Sequence, residues 1–358
     1  MNNRIAIGSN FIGLNEPTYF IADIAANWDG EIERAIELIY LSAEMGANAA
    51  KFQNFRAETI VSDFGFKSLE NGKQVSHQKD WKESVFEIYK KASLPLEWTE
   101  TLRETCKKAG IDYFTSPYDV SQIDELSKYV QAWKIGSGDI TWIQMIEKLS
   151  KYSLPILIAT GASTLDEVIT AHKIAKKYND NIVIMQCNTN YTGSSDNFNY
   201  INLNVLNIFK SNFPDTILGL SDHTSGHATV LGAVTLGARV IEKHFTDDKS
   251  RTGPDHKFSM CPNEWKLMVD CTRELESALG NGLKVIEDNE KETSIIQRRA
   301  IRASRDISIN SCLQKEDLIF LRPCPINALS PAEESKILGK KITKNIIKGD
   351  YIKSDDLV

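Results

Sequence analysis

Two histidines in the stretch 217–259, ILGLSDHTSGHATVLGAVTLGARVIEKHFTDDKSRTGPDHKFS, have the type and spacing for metal chemistry. His223 follows a short apolar run, residues 217–220, and His244 follows a second, residues 239–242, centred on Val240 and Ile241. Between them residues 229–237 are small and apolar enough for a tightly packed helix. The stretch reads as strand–helix–strand with an imidazole at the carboxyl end of each strand, the end where parallel α/β folds carry their chemistry. Two neutral imidazoles converging there can hold a divalent metal and leave positions open for substrate.

Other polar residues fall at the carboxyl ends of further apolar runs: Asp23, Lys51, Gln53, Ser116, Lys134, Ser137, Asp139, Thr160, Thr189, Tyr191 and Ser221. One lysine in such a place is commonly a surface residue with a buried stem. Two, Lys51 and Lys134, make a cationic centre able to hold a phosphate and a carboxylate. The Gly-Ser-Gly turn 136–138 can aim backbone N–H groups and the Ser137 hydroxyl at phosphate oxygens.

The elements that must position these groups alternate along the chain. Apolar strand patterns occur at 19–26, 47–53, 111–117, 131–139, 154–161, 181–187, 217–220 and 239–242, with helical spacing between most of them. Residues 54–95 read as an irregular insertion rich in Lys, Glu and Ser. Eight strands alternating with eight helices over roughly 280 residues fit a (β/α)8 TIM barrel better than an open sheet. No G-x-G-x-x-G follows the first strand. The expected organisation is a barrel over 1–282, a charged linker over 283–299, and a small β-rich unit over 300–358. About 60 residues bury little core, so such a unit leans on a partner surface.

A net charge of −6 and a pI near 5.7 argue against a nucleic-acid or anionic-membrane partner, so an anionic substrate needs local cations. The start lacks a leader pattern, and no apolar run reaches the ~18 residues of a membrane helix. Six scattered cysteines without a C-x-x-C pair read as reduced thiols of a cytoplasmic protein. His227 reads as a packed or capping residue, His77 and His172 as surface, and His256 as a loop residue able to support the site from behind. The LysLys pairs at 107, 176 and 340 read as solvated faces.

SDHT, EKHFT, GPDHKFS and KIGSG, with IKGDYIKSDDL near the C-terminus, resemble the sialic acid synthases, the nonulosonate synthases that condense phosphoenolpyruvate with an amino sugar. The resemblance implies a TIM barrel followed by an antifreeze-like (SAF) domain. It implies a divalent metal, Mn²⁺ with Mg²⁺ or Co²⁺ as alternatives, on His223 and His244. Phosphoenolpyruvate would be held by Lys51, Ser116, Lys134, Ser137 and Ser221. The sugar would meet Asp23, Asp139, Tyr191 and Asp255, with Gln53 and Thr189 in the same substrate-binding set. Asp23 and Asp139 are the carboxylates able to assist proton movement. A homodimer is implied, in which Arg322 from the small domain of one chain covers the site of the other.

The chain departs from the family pattern at places. DIAANWD stands where E-I-G-x-N-H is usual, giving Asp23 for Glu and Trp28 for His. Asp139 replaces Glu, Ala159 replaces Ser, Thr189 replaces Asn, and Cys324 replaces Gly. These changes are expected mostly to face the sugar, so they bear on substrate identity more than on reaction type. Two other readings are a related barrel synthase or aldolase acting on a different aldose, and a non-catalytic sugar-binding protein.

Overall fold

The computed structural model describes residues 4–69, 78, 81 and 83–358, so His77 lies outside the described residues. Its contacts divide the chain into two units, Met1–Gly280 and Asn281–Val358. The first opens with an antiparallel hairpin, β1 (Arg4–Ile7) and β2 (Asn10–Gly13). Eight parallel strands follow: β3 (Tyr19–Asp23), β4 (Ala49–Asn54), β5 (Asp112–Pro117), β6 (Trp133–Ile135), β7 (Ile156–Ala159), β8 (Ile182–Cys187), β9 (Ile217–Asp222) and β10 (Ala238–His244). They pair in sequence order, and β10 closes on β3 to complete a TIM barrel.

Closure buries both faces of each strand, which is why these segments are apolar runs rather than alternations. All six residues of β8, IVIMQC, are buried. Side chains pointing outward pack under the helices, among them Ile135, Ile158, Ile184 and Ile241. The amino half of the inward layer holds Ile21, Phe114, Leu157, Val183, Met185 and Val240, and the hairpin adds Ile5, Ile7 and Ile12 to it. The hairpin thus stoppers one end of the barrel with apolar side chains, and the polar residues are left to the carboxyl end. Sequence reading did not anticipate this hairpin, because two four-residue strands are too short to show a period. At Gly219 a Cβ would lie 2.8 Å from the Val240 carbonyl oxygen and 3.0 Å from Met185 Cγ, so only glycine lets β9 and β10 approach here. The β9–β10 register slips beside it, between Ala238 and Val240.

The segment expected to be irregular carries short helices, Ala57–Ile60, Asp63–Ser68 and Val85–Lys91. The last two are capped by Ser62 and Ser84, whose hydroxyls accept from Gly65 N and Glu87 N. The charged stretch before the small unit likewise includes a helix, Lys291–Ile296. In the second unit β11 (Ala300–Ala303) and β12 (Leu318–Leu321) pair antiparallel. They pack over a small core that includes Ile301, Leu313, Ile337 and Ile352. Elsewhere in this unit, expected to be β-rich, residues 341–350 make only isolated bridges such as Ile307 to Ile346. All six cysteines are free thiols. Among the described residues no helix is long and apolar enough to cross a membrane.

Candidate active site

Alternation along β9 and β10 sorts their last residues onto two faces. Asp222 and Lys243 point outward as a buried ion pair, with Oδ2 to Nζ at 2.6 Å. Lys243 also donates to the Thr224 carbonyl at 2.6 Å, and the Thr224 and Thr229 hydroxyls donate to Asp222 at 2.8 and 2.7 Å. Burial alone would raise the Asp222 pKa, but Lys243 and the two threonines hold it below the usual carboxylate value. This clamp fixes the two strand ends, so the residues flanking its members point inward: Ser221 on β9 and His223 just after it, Glu242 and His244 on β10.

The inward residues line a cavity of about 380 Å³ at the carboxyl end of the barrel. The rings of His223 and His244 are 5.4 Å apart. Tyr191 lies 4.4 Å from His223 and Phe258 4.8 Å from His244, giving the pair an aromatic surround. Next to His244 in register stand Asp23 on β3 and Lys51 on β4. Lys51 Nζ donates to Asp23 Oδ2 at 2.6 Å and to Ser116 Oγ at 3.4 Å, and the Gln53 amide donates to Asp23 Oδ2 at 3.2 Å. Burial opposes the Lys51 charge, yet Asp23 and then Glu242 raise its pKa. Lys134 Nζ is 3.3 Å from Glu242 Oε1. The two lysines therefore share one floor, as their places at strand ends suggested.

Ser137 begins a single 3-10 turn, Ser137–Asp139, and its Oγ accepts from Gly161 N at 2.9 Å. A Cβ on Gly136 would lie 2.4 Å from the Tyr118 hydroxyl, so this turn needs its glycine to sit against the wall. Burial pushes Asp139 up to about 6. Asp255, also in the wall, is pushed up to about 6, first by burial and against the hydrogen bond it accepts from Ala26 N at 3.1 Å. Asp23, Lys51, Gln53, Lys134, Ser137, Asp139, Tyr191, Ser221, His223, His244 and Asp255 all line the cavity. Ser116 is buried behind Lys51. Thr160 bonds to the Met185 carbonyl at 3.0 Å, and Thr189 sits beside Gly161, where its Cγ2 would be 2.6 Å from a Cβ. Arg322 is exposed in the second unit, just after β12.

Some expectations are corrected. Trp28 does not face the cavity; it is 2% exposed and packs edge-on against Trp98 at 5.3 Å, because the chain after β3 turns its large indole into the apolar layer under the helices. His172 is not a surface residue. It lies half-buried with its ring 4.4 Å from Phe213 and Nε2 2.8 Å from the Thr216 hydroxyl, and burial lowers its pKa to about 4. His256 is fully buried behind the wall, where Nε2 meets Asp29 at 2.8 Å and Nδ1 meets Thr246 at 2.8 Å. Arg34 extends that support by bridging Asp29 and Asp247.

Sequence reading missed Glu242, Cys187 and Phe258 in the cavity wall. Glu242 had a signal: it stands two residues before His244, hence on the same face of the strand. Ser221 Oγ donates to its Oε1 at 3.1 Å, while its Oε2 is buried without a partner. Cys187 and His223 lie within reach of each other, and each moves the other toward its ionised form against the effect of burial.

The chemistry of the pair suits a metal. His223 Nδ1 hydrogen-bonds the Asn188 carbonyl at 2.9 Å, an arrangement that fixes the ring and leaves its other nitrogen for coordination. His244 Nδ1 is buried with no partner, and burial holds that imidazole neutral by lowering its pKa. Among the described residues no group of three or more His, Cys, Asp or Glu could hold a metal. The protein thus offers two imidazoles.

Comparison with known proteins matches the NeuB family over residues 38–284 and the SAF domain over residues 298–358. The chain is 35% identical over 354 residues to the N,N'-diacetyllegionaminic acid synthase of Legionella pneumophila, covering 97% of each chain. It is 32% identical over 347 residues to the pseudaminic acid synthase of Campylobacter jejuni, covering 96% of this chain and 97% of the relative. The crystal structure of the N-acetylneuraminic acid synthetase of Leptospira borgpetersenii superposes with a TM-score of 0.70 at 28% identity, covering 82% of this chain and 95% of that one.

Proposed function

The chain belongs to the NeuB family, and from that premise we propose that it condenses phosphoenolpyruvate with an N-acylated amino hexose to give a nonulosonic acid and phosphate. The observation that carries this reading is the convergence of His223, His244, Lys51 and Lys134 on one cavity. A divalent ion on His223 and His244, Mn²⁺ or alternatively Mg²⁺ or Co²⁺, would supply Lewis-acid polarisation of the sugar's aldehyde.

The rest is work for the chain's own side chains. Lys51 and Lys134 neutralise the phosphate and carboxylate of phosphoenolpyruvate in a site where burial strengthens the attraction. Ser137 and Ser221 donate hydroxyl protons to those groups. Asp23, Gln53, Tyr191, Asp139 and Asp255 face the remaining space and orient the sugar's hydroxyl and amide groups. The cavity sets C3 of phosphoenolpyruvate against the aldehyde carbon. In the dimer implied by the family resemblance, Arg322 reaches the N-acyl group from the other chain.

The reading is tested by phosphate release from phosphoenolpyruvate with Mn²⁺ and a panel of amino sugars, with mass spectrometry of the product. N-acetylmannosamine and 2,4-diacetamido-2,4,6-trideoxyhexoses belong in the panel. Release with at least one sugar and a product mass equal to sugar plus pyruvate is expected. Silence with every sugar would favour a binding protein. For the dimer, mixing Arg322→Ala with His244→Ala should restore activity to two inactive parents once subunit exchange is confirmed.

A further inference from the structure

We propose that Tyr118 is a further substrate-binding residue, its hydroxyl donating a hydrogen bond to the phosphate of phosphoenolpyruvate at the Gly-Ser-Gly turn; this rests on the substrate reading above. Tyr118 follows β5 directly and lines the cavity. Three contacts fix it. Its backbone N donates to the Asn54 carbonyl, at the end of β4, at 2.9 Å. Phe55 packs edge-on against the phenol ring at 6.3 Å. The tip of the ring rests on Gly136: a Cβ there would collide with the phenol oxygen and lie 3.1 Å from Cε1 and Cζ. Gly136 leads into the turn whose Ser137 and Gly138 also line the cavity. The hydroxyl therefore ends beside the groups assigned to the phosphate.

Its proton is placed to be donated. Burial raises the Tyr118 pKa well above 10, and the charges of Asp139, Tyr191 and Asp23 raise it further. The phenol thus stays protonated across the working range of an enzyme. The Ser116 hydroxyl acts in the opposite direction, as a donor toward the phenol oxygen. Lys51 Nζ donates to Ser116 Oγ at 3.4 Å, which turns the Ser116 proton toward Tyr118. With its oxygen accepting from that side, Tyr118 directs its own O–H into the cavity. Donors in such a chain polarise one another. A ring already held on three sides also loses little freedom when a ligand binds. Packing on Gly136 needs only the ring, and phenylalanine would fill the same space. The hydroxyl is what a substrate explains.

The test compares wild type with Tyr118→Phe on the full-length protein with Mn²⁺. The variant keeps the ring against Phe55 and Gly136, so its melting temperature should be nearly unchanged. Kd for phosphoenolpyruvate, by calorimetry without sugar, should weaken roughly 10–100-fold, the scale of one hydrogen bond to a charged group. KM for phosphoenolpyruvate should rise with it, and KM for the sugar should stay. Competition against phosphoenolpyruvate identifies the group contacted: inorganic phosphate should bind the variant more weakly by a similar factor, and pyruvate should bind both proteins alike. An unchanged Kd for phosphoenolpyruvate overturns the proposal. So does a loss confined to pyruvate, or an equal rise in the sugar's KM. A large fall in melting temperature with parallel loss of every ligand would show a packing role and overturn it too. Wild type that binds no phosphoenolpyruvate removes the substrate reading and this proposal with it, whereas equal binding by wild type and variant removes only the role of Tyr118.

Discussion

The ends of β9 and β10 present two faces built from neighbouring residues and opposite in design. Outward, Asp222, Lys243, Thr224 and Thr229 bond to one another, buried under the helices. Inward, His244 Nδ1 and Glu242 Oε2 are equally buried and have no partner. Native proteins pair nearly all buried polar atoms, so a strand that satisfies one face and leaves the other unfilled has assigned stability to the first and ligand binding to the second. The comparison also shows why the inner face can tolerate its deficit. The outer clamp fixes the backbone, so the inner groups keep their positions although His244 Nδ1 and Glu242 Oε2 are left unbonded.

The comparison breaks if substitutions on the two faces have the same consequence. The largest expected effect is on the inner face: His223→Ala or His244→Ala should abolish turnover and weaken Mn²⁺ binding, with melting temperature nearly unchanged. Chelation should inactivate wild type reversibly, and full activity after exhaustive chelation would remove the metal from the mechanism. On the outer face, Asp222→Ala leaves Lys243 buried without its counter-ion. That should cost about 3–5 kcal/mol, a fall in melting temperature of roughly 10 °C for a unit of this size. Protein that remains folded should lose far less kcat than the inner-face histidine variants do.

The lysines sharpen the contrast, because Lys51 serves both roles. Lys51→Met and Lys134→Met should each lower kcat/KM for phosphoenolpyruvate by roughly 10²-fold, measured by phosphate release. Lys51→Met should also lower the melting temperature, since Asp23 loses a 2.6 Å partner. Lys134→Met should change it less, since Glu242 keeps Ser221 Oγ at 3.1 Å.

The smallest effect is a pH dependence. Burial raises Asp139 to about 6, above its unfolded value of 3.8. Stability from the neutral carboxyl is then fully present below about pH 4 and is lost as pH rises through 6. Asp139→Asn lacks that loss, so its melting temperature should gain on wild type between pH 4.5 and 7.5. Asp255 titrates in the same window but is common to both proteins and cancels in the difference. A constant difference across the range would show that Asp139 is not held in a desolvated wall.

The sequence by itself determined the barrel and the four groups at its floor. Eight apolar runs separated by helical patterns leave little choice of fold, and an inward polar residue at the end of a buried parallel strand has only the carboxyl rim to occupy. His223, His244, Lys51 and Lys134 were legible for that reason. The period of two along β10 also carried Glu242, unread, because a lone acid before a histidine has no meaning until its neighbours across the barrel are known. Tertiary structure alone decided the rest. Trp28 looked like a sugar-facing change in the sequence and was taken by the apolar layer instead. Cys187 and Phe258 joined the wall from positions 36 residues before His223 and 14 after His244. The hairpin of β1 and β2 shut the opposite end with side chains too few to show a pattern. Spacing along a chain fixes which face of a strand a residue takes, but only closure of the barrel brings distant faces together, and convergence is what places an anion between two lysines.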